Sequence, residues 1–167
     1  MKRIGLLSDT HGFLHPRVFD FFVPCDEIWH AGDIGNMTVA NQLEQFKPFK
    51  AVYGNIDDHQ IRTRYPEQLL FNCESVKVFI THIGGYPGRY ASGIEERIKK
   101  EQPKLFISGH SHILKVMPDH KNGLLHINPG AAGKYGIHKV ITLVRFSIID
   151  HQIENLEINE IERNQLA

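Results

Sequence analysis

The chain has 167 residues, 41% hydrophobic and 23% charged, with 19 basic against 19 acidic side chains and a formal net charge of zero. That length suits a single domain over residues 1–167 with a sizeable core, and the balanced charge excludes a global field that would recruit nucleic acid or acidic membranes. Cys25 and Cys73 form no CxxC, Ile4–Leu7 is too short for a secretion signal, and no apolar run could span a bilayer, so a cytoplasmic protein is expected.

In chain order, short apolar runs rich in Val, Ile and aromatics read as buried strands. Ile4–Leu7 leads into Ser8-Asp9-Thr10-His11. A helical pattern over Pro16–Val23 puts Val18, Phe19 and Phe22 on one face. Glu27–His30 then runs into Ala31-Gly32-Asp33, and a second helix covers Thr38–Phe46, capped by Thr38 or Asn36. Ala51–Tyr53 ends at Gly54-Asn55, and Val76–Ile80 ends at Thr81-His82. A third helix over Ser92–Lys100 takes Ser92 as its cap, with acids in its first turn and Lys99 and Lys100 in its last. Leu105–Ile107 leads into Ser108-Gly109-His110-Ser111-His112.

Alternating strand and helix in the first half indicates parallel βαβ units. After residue 110, Val116-Met117, Leu124–Ile127, Val140–Ile149 and Gln152–Ile158 read as consecutive strands, with turns at Asn122-Gly123 and Asp150-His151. An α/β half followed by a β-rich half fits two packed sheets with helices outside.

Ligands of open α/β sheets bind beyond the carboxyl ends of the strands. Five strand ends here deliver Asp9 and His11, Asp33, Asn55, His82, and His110 with His112, and they can converge on one edge of one sheet. Each motif alone is an ordinary turn; together they make a donor set of two carboxylates, one amide oxygen and four imidazoles, without thiolate. Seven donors exceed one tetrahedral zinc and suit two ions sharing a bridge. Imidazoles disfavour an all-oxygen calcium or magnesium cage, and the absence of sulfur disfavours Cu(I), which leaves Mn, Fe, Zn, Co or Ni. Two dications against two carboxylates and one hydroxide leave about one positive charge, which attracts an anion. Two ions about 3.5–4 Å apart match the oxygens of a phosphoryl group. No Walker-type loop and no Gly-x-Ser-x-Gly elbow is present, so NTP-driven chemistry and serine hydrolysis are unsupported.

Asp9-x-His11, Gly32-Asp33, Gly54-Asn55-x-Asp57, Thr81-His82 and Gly109-His110-Ser111-His112, in that order, resemble the calcineurin-like metallophosphoesterases, over about residues 1–150. The short length and the Asn128-Pro129-Gly130-Ala131 turn look like the family's small prokaryotic phosphodiesterases. The resemblance implies a four-layer αββα fold and a centre of two divalent transition metals, manganese foremost. By that likeness Asp9, His11 and His112 hold the first metal; Asn55, His82 and His110 hold the second; Asp33 bridges; and a bridging hydroxide attacks phosphorus in line. Asp33, Asn55 and His82 are thereby the catalytic positions, and a phosphodiester small molecule or nucleotide is the expected substrate. Nucleic acid and membrane are not expected partners, and self-association is left open. Competing readings are a non-catalytic scaffold of the same fold and a phosphomonoesterase or nucleotidase.

Two departures stand out. Many members carry histidine after the Gly-Asn, where this chain has Ile56, and Ile83 delays the glycine that often follows Thr-His. Arg89, in the Tyr86–Tyr90 loop after His82, is a candidate for phosphate or base contact beside Asn55 and Ile56. His30 reads as a core residue; His15, His59, His120, His126, His138 and His151 read as surface or loop residues, with His59 and His138 nearest the motifs.

Overall fold

The computed structural model describes residues 1–163. In chain order the elements are β1 (Lys2–Leu7), α1 (Arg17–Phe22), β2 (Glu27–His30), α2 (Met37–Phe46), β3 (Phe49–Ala51), α3 (His59–Arg64), β4 (Gln68–Cys73), β5 (Val76–Thr81), β6 (Gly85–Tyr86), β7 (Arg89–Tyr90), α4 (Ile94–Glu101), β8 (Leu105–Ile107), β9 (Leu114–Asp119), β10 (Leu124–Pro129), β11 (Val140–Ile149) and β12 (Gln152–Glu162). Two five-stranded sheets form, in the orders β12-β11-β1-β2-β3 and β4-β5-β8-β10-β9. Each has three adjacent parallel strands: β1-β2-β3, flanked on one side by antiparallel β11 and β12, and β5-β8-β10, edged on both sides by antiparallel β4 and β9. The halves of the chain therefore do not map onto separate sheets, because β11 returns to pair with β1 and carries β12 on its other edge.

Side chains alternate between strand faces. Ile4, Leu6, Trp29, Val78, Ile80, Ile107 and Phe146 point between the sheets and form one buried cluster. Leu7 and Ile28 point the other way, onto Val18, Phe22, Val39, Leu43 and Ile61 of α1 to α3. Phe79 and Phe106 leave the second sheet to meet Ile94 and Ile98 of α4. The result is the four-layer αββα arrangement that the family resemblance implies.

Local signals explain the helix ends. Asn36 caps α2, its Oδ1 accepting from the Val39 N–H at 3.0 Å, which settles the choice between Asn36 and Thr38. Ser92 does not cap α4: the N-cap is Gly93, at φ 81°, with no side-chain bond. The α3 helix and strands β4, β6 and β7 are additions to the sequence reading. Among the described residues no helix is long and apolar enough to cross a membrane.

The inter-sheet core turns on Trp29, fully buried, with its ring 5.1 Å from Phe71 and 5.9 Å from Phe146 and its Nε1 donating to Glu27 Oε1 at 2.8 Å. Trp29→Ala should cost about 3–5 kcal/mol, measured by urea unfolding followed by circular dichroism. A loss below about 1 kcal/mol would show that the two sheets do not depend on this contact.

Candidate metal centre

The carboxyl ends of β1, β2, β3, β5 and β8 open into loops on one rim of the molecule. The first three belong to one sheet and the last two to the other. The site therefore lies where two sheets meet, not on an edge of one sheet as the sequence suggested. The seven expected donors come together there in two adjoining groups. In the first, ligand atoms of Asp9, His11 and His112 lie within 4.8 Å of one another; the same limit encloses those of Asp33, His82 and His110 in the second. Asn55 adjoins the second group, its Oδ1 3.0 Å from His110 Nδ1. Asp33 Oδ2 lies 3.1 Å from His82 Nε2 and 3.4 Å from His11 Nε2, so one carboxylate oxygen reaches both groups. Asp9 Oδ1 lies 3.1 Å from His112 Nε2 and 3.7 Å from His11 Nε2.

Hydrogen bonds around the donors leave their lone pairs pointing inward. Asp9 spends Oδ2 on Ser8 Oγ (2.6 Å) and the His110 N–H (3.2 Å). His82 Nδ1 donates to the Ala31 carbonyl at 2.8 Å, which orients the ring and turns Nε2 toward the carboxylates. Asp9 Oδ1 and His82 Nε2 are buried, lack a hydrogen-bond partner among the described residues, and face each other at 3.8 Å. Two such groups turned toward each other call for positive charge between them, from protons on the imidazoles or from a metal cation. Carboxylate, amide and imidazole donors fit the divalent ions Mn, Fe, Co, Ni and Zn.

Charge sharpens the point. Burial raises the Asp33 carboxyl, but contacts with His11 and His82 outweigh it and hold the group far below the usual carboxylate range. Asp9 behaves alike, with His11 and His112 overcoming burial. His11 is pushed up to about 9, first by Asp33 and then by Asp9. Without a metal, protons on His11 and His82 balance the carboxylates, and a metal has to displace them.

Backbone geometry marks the same residues. Asp9 (φ 56°), His11 (46°), Asp33 (56°), His110 (71°) and His112 (62°) all occupy the left-handed region. Such conformations cost about 1–3 kcal/mol each and persist only when the surroundings enforce them. Two glycines show how tight these surroundings are. A Cβ at Gly54 would collide with Asp33 Oδ1, and one at Gly32, itself at φ 102°, would meet the His82 ring at 2.6 Å.

Residues without an expected role hold the loops. Asp57 accepts from the Ile34 (3.1 Å), Gly35 (2.8 Å) and Gly54 (2.8 Å) N–H groups, while Asp33 Oδ1 accepts from the Ile56 N–H at 3.0 Å. The two loops thus clasp each other reciprocally. Arg62 stacks over the Tyr53 ring at 4.7 Å and donates to the Asp57 and Asn55 carbonyls at 2.7 and 3.1 Å. The Asn128–Gly130 turn explains itself: Asn128 Nδ2 donates to the Gly109 carbonyl and Ser111 Oγ, both at 3.0 Å. Asp57 and Asn128 sat inside recognised motifs, so spacing alone could have found them; nothing in the sequence singled out Arg62.

The remaining expectations divide. His30 is buried and neutral, pulled down to about 3 by burial, with Nδ1 accepting from the Gly32 N–H and Nε2 3.0 Å from Thr10 Oγ1. His126, expected at the surface, is fully buried on β10. His138 Nε2 accepts from the Leu114 N–H and His59 opens α3, so neither joins the donor groups. Ile56 is 46% exposed and uses only its backbone at the site. Arg89 is exposed on the β6–β7 hairpin and lines a recess beside His110.

A family model described as the calcineurin-like phosphoesterase superfamily domain matches residues 1–151. The chain belongs to that superfamily. A probable metallophosphoesterase of Methanothermobacter thermautotrophicus is 32% identical over 136 residues, covering 77% of this chain and 76% of that one. Among solved structures, an archaeal phosphodiesterase shares 22% identity at a TM-score of 0.75, covering 95% of this chain and 99% of its own. Zinc-complexed Vps29 of Entamoeba histolytica shares 17% identity at 0.72, covering 97% and 99%. These likenesses show the fold.

Two outcomes follow for metal binding. Because His11 holds its proton to about pH 9, affinity for Mn²⁺ should climb as pH rises from 7 to 9 and then level, with proton release in calorimetry; affinity that is flat over this range would remove His11 from the donor set. Asp33→Asn should lower metal occupancy at both groups and His112→Ala at one, read as metal per protein after dialysis. Full occupancy in Asp33→Asn would show that the shared oxygen is not a ligand.

Proposed function

We propose that the protein is a two-metal phosphodiesterase, carried by one observation: Asp33 Oδ2 stands within 3.4 Å of imidazoles from both donor groups. In this reading Asp9, His11 and His112 hold one divalent ion, Asn55, His82 and His110 hold the other, and Asp33 is shared. Manganese is the first candidate, with Fe, Ni, Zn and Co as alternatives. When bound, the pair supplies Lewis acidity to a phosphoryl oxygen and makes a water acidic enough to serve as nucleophile.

The chain's own residues position and neutralise. The Ile56 N–H and the Asp57 clasp fix Asp33 and Asn55 relative to each other, and the Ala31 carbonyl holds the His82 ring. Asn55, exposed at the mouth, presents its amide to the phosphate, and Arg89 stands near enough to meet the rest of an anionic substrate. Ile56 projects from the same turn without a proton to give. It also offers nothing to the extra charge of a monoester dianion, which favours diesters over the phosphomonoesterase or nucleotidase alternative. The substrate class is a small-molecule or nucleotide phosphodiester in the cytoplasm. The buried Asp9 Oδ1 and His82 Nε2 support a bound metal, which a non-catalytic scaffold of this fold could also hold; turnover separates the two readings.

Purified protein loaded with Mn, Fe, Ni, Zn or Co should carry about two ions per chain and cleave bis-p-nitrophenyl phosphate; inactivity with every metal would overturn the assignment. Protonation of a departing alkoxide is typically worth about 10²–10⁴-fold. Rates over a series of aryl phosphodiesters should therefore fall steeply as leaving-group pKa rises, and less steeply in Ile56→His. A flat dependence in the unmodified enzyme would mean that another group supplies the proton.

A further inference from the structure

The metal centre leaves one pattern in the sequence unused. Three donors are each followed by isoleucine, in Asn55-Ile56, His82-Ile83 and His112-Ile113. The donors face the centre, and the isoleucines stand in solvent, 46%, 46% and 38% exposed. Tyr135 and Ile137 join them, 78% and 69% exposed on a loop pinned to the same rim at both ends. The Gly133 N–H donates to the Asp9 carbonyl at 3.0 Å, and the Leu114 N–H donates to His138 Nε2 at 3.1 Å. Five of the nine large apolar side chains exposed among the described residues thus stand around one mouth. Apolar side chains scattered singly need no explanation, but a cluster beside a binding site does.

Ile83 and Ile113 also line a recess of about 230 Å³, together with Tyr86, Ala91 and His110. His110 is a metal-donor residue, so the recess adjoins the place of the phosphoryl group. Polar side chains on its walls are bonded to one another or to backbone. Asn128 Nδ2 donates to Ser111 Oγ and the Gly109 carbonyl, and its Oδ1 accepts from the Gly130 N–H at 3.0 Å. Ser111 Oγ also accepts from the Ile113 N–H at 3.2 Å. His126 is fully buried, and Lys115 Nζ is held 3.5 Å over the Tyr86 ring. A sugar or polyol entering here would shed water and find few free partners, whereas hydrocarbon would cover Ile83 and Ile113 without that cost. We propose that this recess is a subsite for a hydrocarbon ester arm, and that the substrate is a phosphodiester carrying an alkyl or aryl group there. The recess is smaller than the roughly 300–1,000 Å³ of sites for drug-sized ligands, so a short chain or one ring fills it. The proposal rests on the phosphodiesterase reading for the position of the phosphate. A second recess of about 290 Å³ opens on the other side of Ile83, lined by Asn55, Arg62 and His82 among others, and leaves room for a polar second arm.

Isopentyl and glyceryl arms have the same number of heavy atoms and differ in polarity, which makes a matched pair. With metal, isopentyl p-nitrophenyl phosphate should exceed glyceryl p-nitrophenyl phosphate about tenfold in kcat/KM, the leaving group being the same. Ile83→Ser and Ile113→Ser should each cut that ratio about threefold, while Ile83→Leu, which keeps the hydrocarbon, should preserve it. A readout without turnover uses isoleucine-methyl-labelled protein and no added metal. Isopentyl methyl phosphate should move the Ile83 and Ile113 methyl resonances, and glyceryl methyl phosphate should leave them in place. If a serine variant does not fold, the matched pair on the unmodified protein still decides. Equal kcat/KM for the two arms with unmoved isoleucine resonances would overturn the subsite and leave the apolar rim to a macromolecular partner, while the phosphodiesterase reading stands. Resonances moved by the isopentyl ester alone, without cleavage of either p-nitrophenyl ester, would uphold the subsite and overturn that reading.

Discussion

Asp9 and Asp33, two carboxylates with almost no exposure to water, are placed so that one oxygen of each faces imidazoles across 3.1 to 3.8 Å. Two buried anions beside the same imidazoles repel each other unless positive charge lies between them. The surrounding loops bear this burden. Left-handed backbone at five of the seven donors, glycines where a Cβ would strike Asp33 or His82, and the Asp57 clasp all hold the carboxylates in place. Unable to relax, the cluster draws in positive charge that neutralises it: protons on His11 and His82, or metal cations.

Two sheets, rather than one, make this cluster. Each contributes the carboxyl ends of parallel strands, and their shared apolar core around Trp29 sets the distance between the two sets of loops. Neither sheet alone holds the whole donor set. The first brings Asp9, His11, Asp33 and Asn55; the second brings His82, His110 and His112. Contacts between loops of different sheets, such as His82 Nδ1 to the Ala31 carbonyl and the His110 N–H to Asp9 Oδ2, fix the register of one half against the other. The same seam opens into the recesses on either side of Ile83, so binding surface lies next to the donors.

Legibility in the sequence followed the strength of local signals. The inner strands were readable because they are short continuous apolar runs that end in ligand-type residues. Strand β4 was not, because Gln-Leu-Leu-Phe-Asn-Cys lies on a sheet edge, only half-buried and without clean alternation. Helix α3 has six residues and one buried side chain, Ile61, too little for a helical period to show. The α4 cap passed from Ser92 to Gly93 because the chain enters that helix through a left-handed turn, where glycine carries no steric penalty. His126 looked like a surface residue because a histidine flanked by Leu125 and Ile127 gives no sign of which face its strand buries.

The sequence by itself determined which donors exist, in what order, and that each follows a strand; from these the family and a metal-dependent phosphoester chemistry could be read. Covalent neighbours encode that much, since a strand ending in Gly-Asp or Gly-His-Ser-His is a local matter. Tertiary structure alone decided that the donors form two adjoining groups with Asp33 Oδ2 between them, that Asp57 and Arg62 hold the Asn55 turn, and that Ile83 and Ile113 line one recess beside His110. The donor grouping and the recess join residues far apart in the chain and follow from how two sheets pack, while the Asn55 turn is held by local side-chain bonds; no periodicity within a single segment carries either kind of information.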